Sequence, residues 1–130
     1  MKNYFLIAIT SLTLISSCLP EKLKEEMDEG MRLSLEMLAD QDFKKTIGFV
    51  ELHKLRSGVY PNSLNELKFM GQMDSSIFNF VSYSKLDSGY ELNLKMKYST
   101  FQGESDEVIR LKYPKEFWEG LGCVKSNLKD

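Results

Sequence analysis

Gly89-Tyr90-Glu91-Leu92-Asn93-Leu94-Lys95-Met96-Lys97-Tyr98-Ser99 is the stretch whose reading decides the fold class. Tyr90, Leu92, Leu94, Met96 and Tyr98 alternate with Glu91, Asn93, Lys95, Lys97 and Ser99. A period of two describes a strand with one face buried and one wet. Just before it, Asp87-Ser88-Gly89 is hairpin chemistry, and a glycine there can take a positive φ. Residues 77–86, rich in Phe, Val and Tyr, supply the partner strand. After a polar loop at 102–106, Val108 to Tyr113 are expected to add a third antiparallel strand, which Pro114 ends. Phe117, Trp118 and Leu121 are expected to pack back as a closing segment.

Upstream the period changes. Met27, Met31, Leu35 and Leu38 recur at four, four and three residues, an amphipathic helix over 21–39 with Pro20 at its first turn. Covering the sheet is the default role of that stripe. Asp40-Gln41-Asp42 is a candidate break, and either Asp could cap a second helix carrying Phe43, Ile47 and Val50. One helix or two over 21–57 stays open at this point. Gly58 suits the C-cap, with Arg56 in the last turn. Tyr60-Pro61-Asn62 is a turn, and Ser63-Leu64-Asn65-Glu66 matches a capping box opening a short helix. Residues 70–76 read as a loop. The fold class is therefore α+β: a long N-terminal helix packed on a small three-stranded antiparallel sheet.

The first residues bear on location. Lys2 is the only charged side chain before Glu21, and a short apolar run, Tyr4 to Ile15, follows it. A positive end, an apolar core and a small-residue exit make a secretory signal over 1–17. The core is too short, and too rich in Ser and Thr, for a good membrane span. The exit, Ile15-Ser16-Ser17-Cys18, resembles the lipobox of bacterial lipoproteins. That resemblance implies cleavage before Cys18, diacylglycerol on its thiol and acylation of its new amine. Two or more acyl chains anchor stably where one would be marginal. An ordinary signal peptide or an uncleaved anchor are the alternatives. With Leu19, not Asp, after the cysteine, the lipoprotein resemblance favours the outer membrane over the inner.

The 130 residues suit one small domain: a tether and helix over 18–39, then an α+β domain over 40–130. A formal net charge of −2 with both signs interspersed argues against nucleic acid as a partner. Cys123 has no partner if Cys18 carries lipid, and one disulfide connectivity exists if it does not.

Leu55 to Leu67 with the Tyr60-Pro61 pair, then Phe80-Val81-Ser82-Tyr83 and Asp87 to Leu94, is similar to the heads of type II secretion pseudopilins. In that family a helix ends at a glycine, Tyr-Pro follows, a short Leu-rich helix comes next, and a hairpin carries a Gly-Tyr-Glu-Leu-like strand. The resemblance covers residues 43–98 and implies a pilin-like head. It departs at the N-terminus. The uninterrupted apolar assembly helix with a Glu at its fifth position is replaced by a short apolar stretch ending at Cys18 and Pro20.

Catalytic chemistry is sparse. His53 is the single histidine, with no His-Glu-x-x-His or Cys/His cluster around it, which disfavours zinc. Gly-x-Ser-x-Gly and phosphate-cradling glycine loops are absent. A Cys123–His53 nucleophile–base pair is conceivable on residue types alone. The acidic run Glu104-Ser105-Asp106-Glu107 supplies hard oxygens of the kind Ca²⁺ takes, without the spacing of a dedicated loop. Tyr60, Phe78, Phe80, Tyr83, Phe101, Phe117 and Trp118 could form a binding face, with Phe101 and Trp118 best placed for exposure.

The expectation is a lipid-anchored, non-catalytic envelope protein with no cofactor and no metal. It would touch the membrane through Cys18 and bind a protein partner, as an accessory to a secretion or surface apparatus. The alternative is a small periplasmic ligand-binding or hydrolytic lipoprotein, with a pocket where His53, Cys123 or paired carboxylates converge.

Overall fold

The computed structural model describes residues 20–68, 70–95, 98–100, 103–105 and 111–129. One unbroken helix, α1 (Glu21–Ser57), opens the fold. The Pro20 carbonyl accepts from the Leu23 and Lys24 amides at its start. At its end Gly58 takes a left-handed φ of 79°, and its amide returns to the Lys54 carbonyl at 2.9 Å. That is the αL cap expected of a glycine in this place. The break considered at 40–42 does not occur. Asp40 and Asp42 spend their carboxylates along the helix, on Lys44 (2.9 Å) and Lys45 (3.3 Å), in place of capping a new one.

Helix burial is divided in two. Ala39, Asp42, Phe43, Thr46, Ile47 and Val50 are buried, and all lie in the C-terminal half. Of the stripe expected to cover the sheet, Leu35 is half-buried while Met27, Met31 and Leu38 are 41–49% exposed, and Leu23, Leu33 and Met37 are exposed beside them. The apolar period was real, but among the described residues full burial of the helix begins only at Ala39.

β1 (Val81–Leu86) and β2 (Gly89–Leu94) form the expected antiparallel hairpin, in register from Leu86↔Gly89 to Val81↔Leu94. Tyr90, Leu92 and Leu94 are buried along β2, as the alternation required. The strand stops earlier than the alternation runs. Ahead of Val81 the chain is a single helical turn, α2 (Ile77–Phe80), and its Phe80 carbonyl still accepts from the Lys95 amide at 2.8 Å. Asn127 binds the end of β2: its Oδ1 accepts from the Leu94 amide, and its Nδ2 donates to the Leu94 carbonyl. β3 (Tyr98–Thr100) and β4 (Gly103–Ser105) pair as a separate two-stranded ribbon.

The third strand of the main sheet is also corrected. Its order is β1-β2-β5, with β5 (Cys123–Lys125) running parallel to β2. The sheet is therefore mixed, not antiparallel. Of the segment expected to supply the third strand, 108–110 lie outside the described residues, and Leu111 to Tyr113 have no regular structure. A strand of three residues with no alternation of its own left no periodic signal at 123–125.

The capping box at 63–66 is met in part. Leu64–Glu66 is a single 3₁₀ turn, and Glu66 reaches past Ser63 to the Asn62 amide at 2.9 Å. A second 3₁₀ turn, Gln72–Ser76, lies in the expected loop. The core gathers Phe43, Ile47 and Val50 of α1, Leu64, Leu67, Ile77, Val81, Leu92, Leu94 and Leu128. Each large side chain removed from water in this way contributes about 1.5–3 kcal/mol. Phe117, Trp118 and Leu121 pack against it as expected.

Candidate functional site

Two side-chain clusters stand out, and one of them lines a cavity. The other centres on Glu51, a half-buried residue of α1. Its Oε1 accepts from the Tyr90 hydroxyl at 2.9 Å and from the Gly122 amide at 2.7 Å, and its Oε2 accepts from the Tyr60 hydroxyl at 3.4 Å. Burial, then the Glu51 charge, push the Tyr90 hydroxyl well above the ordinary phenol range. Tyr83 donates instead to the Pro61 carbonyl at 2.6 Å, and burial lifts it to about 12. The cluster ties α1 to β2 and to the chain entering β5. Tyrosine hydroxyls donating to Glu51 across the packed elements give the cluster a structural role.

The cavity-lining cluster lies around the 3₁₀ turn Lys115–Trp118. Pro114 starts the turn, Glu119 ends it, and Gly120 follows at φ 77°. The turn presents Lys115, Phe117 and Trp118 beside Tyr113. Tyr113 and Phe117 stack at 4.2 Å between ring centroids, Trp118 meets Phe117 edge-on at 4.9 Å, and Phe43 approaches from α1. Tyr113 is fixed at its far end by Asp40, which accepts from its hydroxyl at 2.5 Å. Burial raises the Asp40 carboxyl, but the Tyr113 hydroxyl and the Lys44 ammonium together outweigh it and hold the group below the usual carboxylate range.

Against this aromatic wall sits a cavity of about 370 Å³, lined by Tyr113, Lys115, Trp118 and Lys129. Lys129 is held in place: its Nζ donates to the carbonyls of Cys123 (2.6 Å) and Val124 (3.0 Å) and stands 4.8 Å from the Trp118 ring centroid. Lys112 bridges the carbonyls of Asn127 and Lys129, which steadies the same corner. Among the described residues, every charged group lining the cavity is positive.

No family model, no curated protein and no solved structure matches the chain. The reading of this site therefore rests on its own residues.

Of the residues considered from sequence, Trp118 lines the cavity, and Phe117 backs it. Tyr60 and Tyr83 belong to the Glu51 cluster, Phe78 and Phe80 pack on the core, and Phe101 lies outside the described residues. Neither His53 nor Cys123 lines the cavity. Cys123 is buried, its Sγ donates to the Lys125 carbonyl, and burial pushes its thiol up, which suits an inert core residue. In the acidic run, Asp106 and Glu107 lie outside the described residues. Among the described residues no cluster of His, Cys, Asp or Glu is placed to hold a metal ion. Cys18 also lies outside them, and among the described residues no helix is long and apolar enough to cross a membrane. Sequence reasoning missed Tyr113, Lys115 and Lys129. Tyr113 and Lys115 flank Pro114, but the 3₁₀ turn and β5 separate them from Lys129, and no spacing pattern connects the three.

Proposed function

We propose that this protein is a lipid-anchored cell-envelope protein, attached through Cys18 and carrying a non-catalytic interaction domain that α1 holds away from the membrane. The observation that carries the reading is the division of α1. None of its first 18 residues is fully buried, whereas its last turns form the core wall. At 1.5 Å per residue, the free half reaches about 27 Å, a rigid spacer beginning three residues after the lipobox cysteine. The Arg32 guanidinium pairs with Glu29 and Glu36 on that half, so the spacer carries its own side-chain support.

A finer form of the reading makes the domain a pilin-like head, accessory to a secretion or surface apparatus. The order of helix, Gly58, Tyr60-Pro61 and hairpin supports it. Leu19 after the cysteine supports placement at the outer membrane. The cavity at Trp118 favours a second reading, a small ligand-binding lipoprotein. A hydrolytic version has less support, because the nucleophile and base available to it do not line that cavity.

Cell fractionation tests the anchor. Wild-type protein should follow the membranes and enter solution with detergent alone, and Cys18→Ala should leave them. Cys18→Ala remaining wholly in the membrane fraction would overturn the reading.

A further inference from the structure

The cavity beside Trp118 has a definite chemical sense, independent of how the protein is tethered. An ammonium carries three N–H donors. Lys129 spends two on the Cys123 and Val124 carbonyls and keeps one. Lys115 makes no hydrogen bond or ion pair among the described residues and keeps all three. The Trp118 Nε1 hydrogen is already turned to the Tyr113 carbonyl, at 3.4 Å. Glu116 and Glu119 share the turn with Lys115, yet neither lines the cavity. The unfilled capacity is therefore for an anion, while the rest of the lining is aromatic. A volume of about 370 Å³ falls at the small end of ordinary ligand pockets. Lys129 is already fixed, so a ligand need not order it on binding.

The geometry points to a binding site for an organic carboxylate: an acid whose apolar or aromatic body lies along Trp118 and Tyr113 and whose carboxylate is held between Lys115 and Lys129. Such a carboxylate could belong to a small free acid or to the C-terminus of a partner protein ending in an apolar residue. Two separate lysines, with no arginine fork among the lining groups, act as point charges and match a single carboxylate.

Trp118 is the only tryptophan of the chain, so its emission reports on this site alone. Benzoate, benzamide and the tripeptide acetyl-Ala-Ala-Phe, as acid and as amide, would be titrated into the purified intact protein and into Lys115→Ala. Lys115 is exposed, so its removal leaves the fold in place. The site requires a saturable change in emission with an acid, at a Kd of about 1 mM or tighter, absent with its amide and weakened about tenfold or more in Lys115→Ala. Binding of the tripeptide acid without benzoate identifies a protein terminus, and binding of both identifies a small acid. A linear, non-saturating response to every acid overturns the site. So does equal binding of acid and amide, or an affinity unchanged in Lys115→Ala.

Discussion

The Gly122 amide donates to Glu51 Oε1 at 2.7 Å, joining a helix to the entry of the last strand across 71 residues of sequence. The Gly122 carbonyl, on its other side, accepts from the Tyr90 amide at 2.9 Å. One peptide segment is thus clamped between the helix and the central strand, and that clamp sets β5 parallel to β2.

Glu51→Ala should remove the acceptor shared by Tyr90 and Gly122. Tyr90 is fully buried, so its hydroxyl cannot turn to water. A buried donor left without a partner costs about 1–3 kcal/mol, and the loss should lie in that range or slightly above it. Glu51→Gln keeps one acceptor oxygen and should lose less. Urea unfolding followed by circular dichroism measures both.

The glycines of the clamp are required by space. A Cβ on Gly89 would overlap the Gly122 carbonyl, which is backbone, and would come within 2.8 Å of Val124 Cγ2. A Cβ on Gly122 would overlap the Tyr60 ring and hydroxyl, a side chain that can be shortened. Gly89→Ala should therefore destabilise by about 1–3 kcal/mol or more, with no single-residue rescue. Gly122→Ala should destabilise alone and regain part of that loss when Tyr60→Ala is added. Thermal melts of the four proteins read the coupling as non-additivity.

Gly89 also shows how far the sequence could be read. A glycine closing Asp87-Ser88 was identified correctly as hairpin chemistry, but its use differs. Its φ is not positive, and its missing side chain makes room for the neighbouring backbone. Local features were legible in this way: the period of Phe43, Ile47 and Val50, the cap at Gly58, and the alternation of Tyr90, Leu92 and Leu94. Features set by distant partners were not. Asp40 meets Tyr113 across 73 residues, and the two lysines of the cavity join only through the path of the chain. The stripe over Met27, Met31 and Leu38 was a true helical period. Periodicity states that a face is apolar and is silent on what lies against it.

Acid stability should report the Asp40–Tyr113 bond. The Asp40 carboxyl titrates below its usual 3.8 in the folded protein, so near and below that pH the unfolded chain binds more protons than the folded one. Its stabilisation is complete above the unfolded pKa and is lost as pH falls through the lower folded pKa. Tyr113→Phe removes the hydroxyl donor and raises the folded pKa toward the unfolded one. The variant should be about 1–2 kcal/mol less stable at neutral pH. The difference should shrink as the pH drops below about 4. Denaturant midpoints of both proteins between pH 2 and 7 would measure it, and a constant difference across that range would exclude the assignment.

The anchor on Cys18 is the central claim, and the intact mass of the detergent-extracted protein tests it most directly, with wild type beside Cys18→Ala. The account predicts a wild-type chain that begins at Cys18 and carries two or three acyl chains, all lost in the variant. A wild-type mass equal to that of the unmodified polypeptide would contradict it, free Cys18 for a disulfide with Cys123, and leave α1 a spacer with no membrane behind it.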